Sequence, residues 1–129
     1  MLNSQKNGNP IGDIKPVINC EEILNLQNKV KEIAIDEGVS RYLLEIIHQT
    51  RNDERLKLGA SPRSSLMIMR CAQATAFMNN RSYVIPDDIK KIASPVLAHR
   101  LVLSNQALHS GIDKSEIIHD IISHTKVPM

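Results

Sequence analysis

Gly59-Ala60-Ser61-Pro62-Arg63, running on through Ser64-Ser65-Leu66-Met67-Ile68-Met69 to Phe77-Met78-Asn79, is the stretch that decides the fold. Its first residues specify a helix start. Gly59 can take a positive φ, Ser61 can cap the helix, and Pro62 fits the first helical position, where its missing N–H costs nothing. Arg63 then projects from the end at which free N–H groups and the helix dipole favour an anion. The same five residues also make an ordinary Ser-Pro helix start with a solvated arginine. Beyond them Leu66, Met67, Ile68, Met69, Cys71, Ala72, Ala74, Ala76, Phe77 and Met78 leave little polar surface. Such a helix, from Ser61 to Asn79, belongs in the middle of a bundle, with alanines admitting close neighbours and methionines filling uneven gaps.

The sequence on either side predicts further helices. Asn19 with Glu22 has the spacing of a capping box, and Ile23, Leu26 and Val30 recur at helical period behind it. From about Glu37 a second helix carries Val39, Leu43, Ile46 or Ile47 and Thr50 on one face and ends near Arg51, with Asn52-Asp53-Glu54-Arg55 as a solvated turn. Ile33-Ala34-Ile35 and Tyr83-Val84-Ile85 are short apolar pieces that can pair as a small β-bridge. Pro86, Asp87 and Asp88 open another helix at its positive end, where both acids serve structure. Ser94-Pro95 is expected to interrupt it, with Val96, Leu97 and Leu101 resuming as a short helix to about Leu103. Asn105 to Gly111 reads as a linker. Asp113 with Glu116 resembles another capping box, opening a last helix that carries Ile117, Ile118, Ile121 and Ile122.

The bulk composition agrees with one helical domain. The 129 residues are 42% hydrophobic and 23% charged, enough for a core, but aromatics are 2%, namely Tyr42, Phe77 and Tyr83. The core must therefore come from Leu, Ile, Val, Met and Ala, which favours packed helices over a β-sandwich. A net charge of +2, with both signs mixed along the chain, supplies no basic stripe for nucleic acid, and stacking aromatics are lacking. Cys20 and Cys71 form no metal or disulfide pattern and suit a reducing cytoplasm. No apolar run has the length of a signal peptide or membrane span, so no membrane insertion is expected. Residues 1–16, rich in Asn, Gly and Pro, read as a flexible lead-in or linker remnant, and 17–129 as the domain.

Three segments in order carry a resemblance. Leu58-Gly59-Ala60-Ser61-Pro62-Arg63 looks like the sensor 2 motif of the C-terminal lid of MoxR-type AAA+ ATPases. Asn80-Arg81-Ser82-Tyr83-Val84-Ile85-Pro86-Asp87-Asp88-Ile89 and Ala93-Ser94-Pro95-Val96-Leu97-Ala98-His99-Arg100-Leu101 are similar to the two segments that follow it in such lids. Glu22-Ile23-Leu24-Asn25-Leu26-Gln27 looks like the helix that opens them. The likeness runs from about Pro16 to Pro128. It implies an all-α bundle of five to six helices, with room for one minimal β-bridge. It also implies a lid closing over ATP held with Mg2+ by a separate core domain, in a ring of subunits that does chaperone-like complex assembly or metal-cofactor insertion on a client protein. Arg63 would be the ATP γ-phosphate contact, with Gly59, Ser61 and Pro62 positioning it. Arg51, His99 and Arg100 match recurring positions whose role the residues do not disclose.

A complete ATPase of that kind needs a glycine loop ending in Lys-Ser/Thr and a carboxylate for magnesium, and no G-x-x-x-x-G-K-[ST] occurs here. No hydrolysis is therefore expected from this chain alone. Glu116 and His119, with His124 beyond, make only one weak metal half-motif, and Ser64 or Ser65 beside His48 or His99 lacks an oxyanion donor. Two other classes compete with the lid. A free-standing helical interaction adaptor would show an exposed apolar patch away from Arg63. A histone-like DNA binder is opposed by the near-neutral charge.

Overall fold

The computed structural model describes residues 15–128. Among the described residues six α-helices form the body of the molecule: α1 (Cys20–Lys31), α2 (Glu37–Asn52), α3 (Pro62–Met78), α4 (Pro86–Leu97), α5 (Asn105–Ser110) and α6 (Lys114–His124). Two short strands, β1 (Leu56–Leu58) and β2 (Val102–Leu103), pair antiparallel, and a 3-10 turn at Ala98–Arg100 links α4 to β2. The all-α architecture expected from the sequence is thus observed. Of the lead-in only Lys15 and Pro16 fall within the described residues.

The caps set the helix starts. Asn19 Oδ1 accepts the Glu22 N–H at 2.8 Å while the Glu22 carboxylate accepts the Asn19 N–H at 2.8 Å, closing the predicted box. Asp36 caps α2 by accepting the Gly38 N–H at 2.7 Å. Asp113 caps α6 through the Ser115 N–H at 2.8 Å, so the cap is made there without Glu116. The bridge between the two apolar pieces is also present: Ala34 pairs with Tyr83 in a parallel bridge, with Ala34 N–H to Ser82 O and Val84 N–H to Ala34 O both at 2.9 Å.

α3 lies in the middle, packed against α1, α2 and α4. The largest fully enclosed apolar side chains are Ile46, Ile68, Ile89, Leu97, Leu101, Ile117 and Ile118, one aliphatic core drawn from α2, α3, α4, the segment before β2, and α6. Tyr42 joins them from α2. Burial of each such aliphatic side chain stabilises by roughly 1.5–3 kcal/mol. The expectation for methionine is corrected: Met67 and Met78 of α3 are exposed and Met69 only borders the core. α3 buries Ser64, Ile68, Ala72, Gln73 and Ala76 instead. Small residues let α4 come close, and buried Gln73 is satisfied by donating to the Ile33 carbonyl at 2.7 Å.

Three other expectations change. Pro95 does not interrupt α4, which runs on to Leu97. Proline removes one N–H donor in the last turn, but its φ is helical, and Ala93 and Leu97, both fully buried, hold the turn in place. The residues after it turn as a 3-10 helix and then extend as β2, so the predicted short helix to Leu103 is not formed. Asn105–Ser110, read as linker, is a helix, capped by Ser104 through the Ala107 N–H and ended by Gly111 at φ 72°.

Asp88 is more than a first-turn acid. It is buried, receives two hydrogen bonds from the Arg81 guanidinium at 2.8 and 2.6 Å, and accepts the Ile85 N–H at 3.0 Å. Burial pushes its carboxyl up, but Arg81 and the Ile85 N–H outweigh this and hold it below the ordinary value.

A basic cleft at the start of α3

The loop between β1 and α3 is held against the end of α2. Gly59 has no positive φ; a Cβ there would overlap the Thr50 carbonyl oxygen and lie 2.7 Å from Arg51 Cα. The residue is glycine because two backbones touch, which corrects the conformational reading of this position. One hydroxyl secures the contact: Thr50, wholly buried, donates to the Ile47 carbonyl at 2.7 Å and accepts the Ala60 N–H at 3.0 Å.

Ser61 occupies the N-cap position of α3 with extended backbone, yet its side chain caps no N–H. Its hydroxyl instead shares a 3.2 Å hydrogen bond with that of Ser64, and its carbonyl accepts the Ser64 N–H at 2.8 Å. The predicted serine cap is therefore absent, and the first turn of α3, with Pro62 leading it, carries no acid either. Its positive end is left open to an anion.

Around that end lies an open cleft of about 540 Å³, walled by Arg51, Lys57, Leu58, Gly59, Ala60, Ser61, Pro62, Ser64 and Arg100. Arg63 is exposed beside it, between two of its wall residues. The arginines of the chain divide into two groups. Arg41, Arg55, Arg70 and Arg81 each meet a side-chain partner: Glu37, Asp53 with Asp120, Gln73 and Asp88 respectively. Arg51, Arg63 and Arg100 meet none among the described residues; Arg51 and Arg100 wall this cleft, whereas Arg63 is not among its walls. The Nε of Arg100 is buried without a hydrogen-bond partner.

Of the residues singled out in the sequence, the structure sets Gly59, Ser61 and Pro62 along the cleft walls and leaves Arg63 outside them. It adds Arg51, Arg100 and Lys57. The first two match recurring positions whose role the residues do not disclose, and nothing in the sequence around Lys57 marks it. Lys57 and Arg100 come together because β1 pairs with β2, which sets Leu58 opposite Val102, while Arg51 is placed by the contact of Gly59 with the end of α2. No spacing in the sequence encodes that distance. The other tentative constellations dissolve. Ser64 is buried against Ser61, His48 bonds Asn52, and His124 sits beside Asp120. Among the described residues no three His, Cys, Asp or Glu gather to hold a metal. The cleft's donors and cations match phosphate oxygens, while no carboxylate stands among its walls to ligate magnesium.

The fold is that of a known family. Residues 48–121 match the AAA lid domain, and the chain belongs to that family as the lid of a MoxR-type AAA+ ATPase. Its relatives include the uncharacterized protein YeaC of Bacillus subtilis (strain 168), 39% identical over all of this chain and 40% of that protein. Chaperone MoxR1 of Mycobacterium tuberculosis is 30% identical over 88% of this chain and 33% of its own length. A crystal structure named as a “putative ATPase” from Cytophaga hutchinsonii superimposes with a TM-score of 0.88 at 29% identity, covering 98% of this chain and 41% of that one. The chain thus spans about two-fifths or less of each of these relatives. Among the described residues no helix is long and apolar enough to cross a membrane.

Proposed function

We propose that this chain, from about residue 17 onward, is the sensor 2 lid that closes over ATP bound with Mg2+ by a separate core domain, with Arg63 reaching the γ-phosphate. The observation that carries the reading is Arg63 itself, an exposed guanidinium on the uncapped first turn of α3 with no acid partner among the described residues. A guanidinium presents parallel donors to phosphate oxygens and stays charged at every working pH. Loss of the γ-phosphate removes those bonds and lets the lid open. Hydrolysis is then coupled to chaperone-like assembly work or metal-cofactor insertion in a ring of cytoplasmic subunits, a role that the name of the mycobacterial relative supports. No turnover comes from this chain by itself.

The test joins or mixes the chain with its core and compares Arg63→Ala with the parent. Each charge-assisted hydrogen bond contributes roughly 1.5–3 kcal/mol, so ATP turnover is expected to fall about 10- to 100-fold. Unchanged turnover removes Arg63 from the mechanism, and micromolar ATP affinity in the isolated chain would contradict the need for a core. A second reading, a helical interaction adaptor, is favoured by one observation. Ile23, Leu26, Phe77 and Met78 line an apolar groove at the end of α3 remote from Arg63. In that reading Met78→Asp abolishes partner binding while Arg63→Ala is silent.

A further inference from the structure

We propose that Arg51, Lys57 and Arg100 form a phosphate-group site of their own in the cleft, separate from the contact assigned to Arg63. Three positive side chains wall one concavity of about 540 Å³ together with the uncapped start of α3, and no carboxylate neutralises any of them among the described residues. Cations held together without counter-charge repel one another, and an oxyanion between them relieves that repulsion. The Nε–H of Arg100 is buried without an acceptor, so an anion in the cleft meets this guanidinium through its terminal N–H groups, which have no partner among the described residues. Ser61 and Ser64 share one hydrogen bond between two hydroxyls, which leaves one O–H free to donate.

The ligand chemistry follows from the count of donors. A carboxylate carries one charge in one plane and would leave two of the three cations unanswered. A phosphate group carries up to two charges and offers oxygens in several directions, matching the two guanidinium forks, the ammonium and the hydroxyl that line the cleft from α2, β1, the start of α3 and the 3-10 turn. That group is either part of a nucleotide's phosphate chain or free orthophosphate.

The experiment is a titration of the whole chain, first with orthophosphate and then with ATP, followed by 15N NMR at the Arg100 Nε–H and at the Gly59 and Ser64 amides. All three resonances are expected to move together and saturate at millimolar ligand. A stronger response to ATP assigns the site to a nucleotide phosphate; an equal response assigns it to orthophosphate. The double variant Arg51→Gln/Lys57→Gln changes two exposed side chains, keeps the fold, and should weaken binding about tenfold or more. Arg41→Gln, whose parent residue pairs with Glu37 on α2, should bind as the parent does. Absence of any shift at the Arg100 Nε–H, or parental affinity in the double variant, overturns the proposal. Because the readout uses neither Arg63 nor hydrolysis, it fails or succeeds independently of the sensor role.

Discussion

Gly59 leaves no room for a methyl group, and the consequence reaches the charges around it. In Gly59→Ala the new carbon meets backbone of Thr50 and Arg51, atoms that cannot rotate aside. Overpacking of this kind costs about 1–3 kcal/mol. The loop must move off α2, which strains the Thr50–Ala60 hydrogen bond and displaces Arg63 relative to Arg51. A lowered urea midpoint is expected, together with reduced turnover in the joined enzyme. If stability and turnover both match the parent, the contact at Gly59 does not set the geometry of the cleft.

At the level of elements, the Arg81–Asp88 pair ties the turn after α3 to the first turn of α4. Asp88→Ala removes an acceptor that serves Arg81 twice and Ile85 once, and should cost about 1–3 kcal/mol, read as a lower denaturation midpoint. The pH dependence has a defined sign. The folded carboxyl titrates below its ordinary value of 3.8, so its contribution is present above that value and is lost as pH falls through the lower folded one. Asp53, lowered chiefly by the Arg55 hydrogen bond, adds to the same trend. Melting temperature should therefore drop as the medium is acidified below pH about 4, and less steeply in Asp88→Asn. An equal slope in the variant would show that Asp88 is not the group responsible.

Elements whose signal is local were legible. Asn19 with Glu22, the apolar face of α2 and the isoleucines of α6 all announced themselves within a few residues. Those that depend on distant partners did not. Leu56–Leu58 is three residues long and becomes a strand because Val102–Leu103 lies beside it, 44 or more positions away in the chain. Pro95 looked like a breaker because the packing of Ala93 and Leu97 is invisible in sequence. α5 differs: Ser104 and Gly111 are ordinary helix boundaries, but the six residues between them are too few to show a helical period. The site divides the same way, with Arg63 given by its motif and Lys57 brought in by strand pairing.

Across the whole molecule stability is uneven. α1 contains no buried residue and packs on α3 while leaving Leu24 59% exposed, whereas α2, α3, α4 and α6 share the enclosed core. Local opening of α1 should accordingly need less free energy than global unfolding. Hydrogen exchange is expected to show α1 amides less protected than those of α2 to α4, and a domain that still melts cooperatively after α1 has exchanged. Equal protection throughout would mean that α1 is part of the same cooperative unit.

The two-stranded ladder has a mechanical meaning. Leu56 faces Leu103 and Leu58 faces Val102, so the bank that carries Lys57 and the bank that leads from Arg100 are stitched into one small ribbon. Because β2 runs directly into α5, a displacement of that helix would be carried through the ribbon to the two banks of the charged mouth.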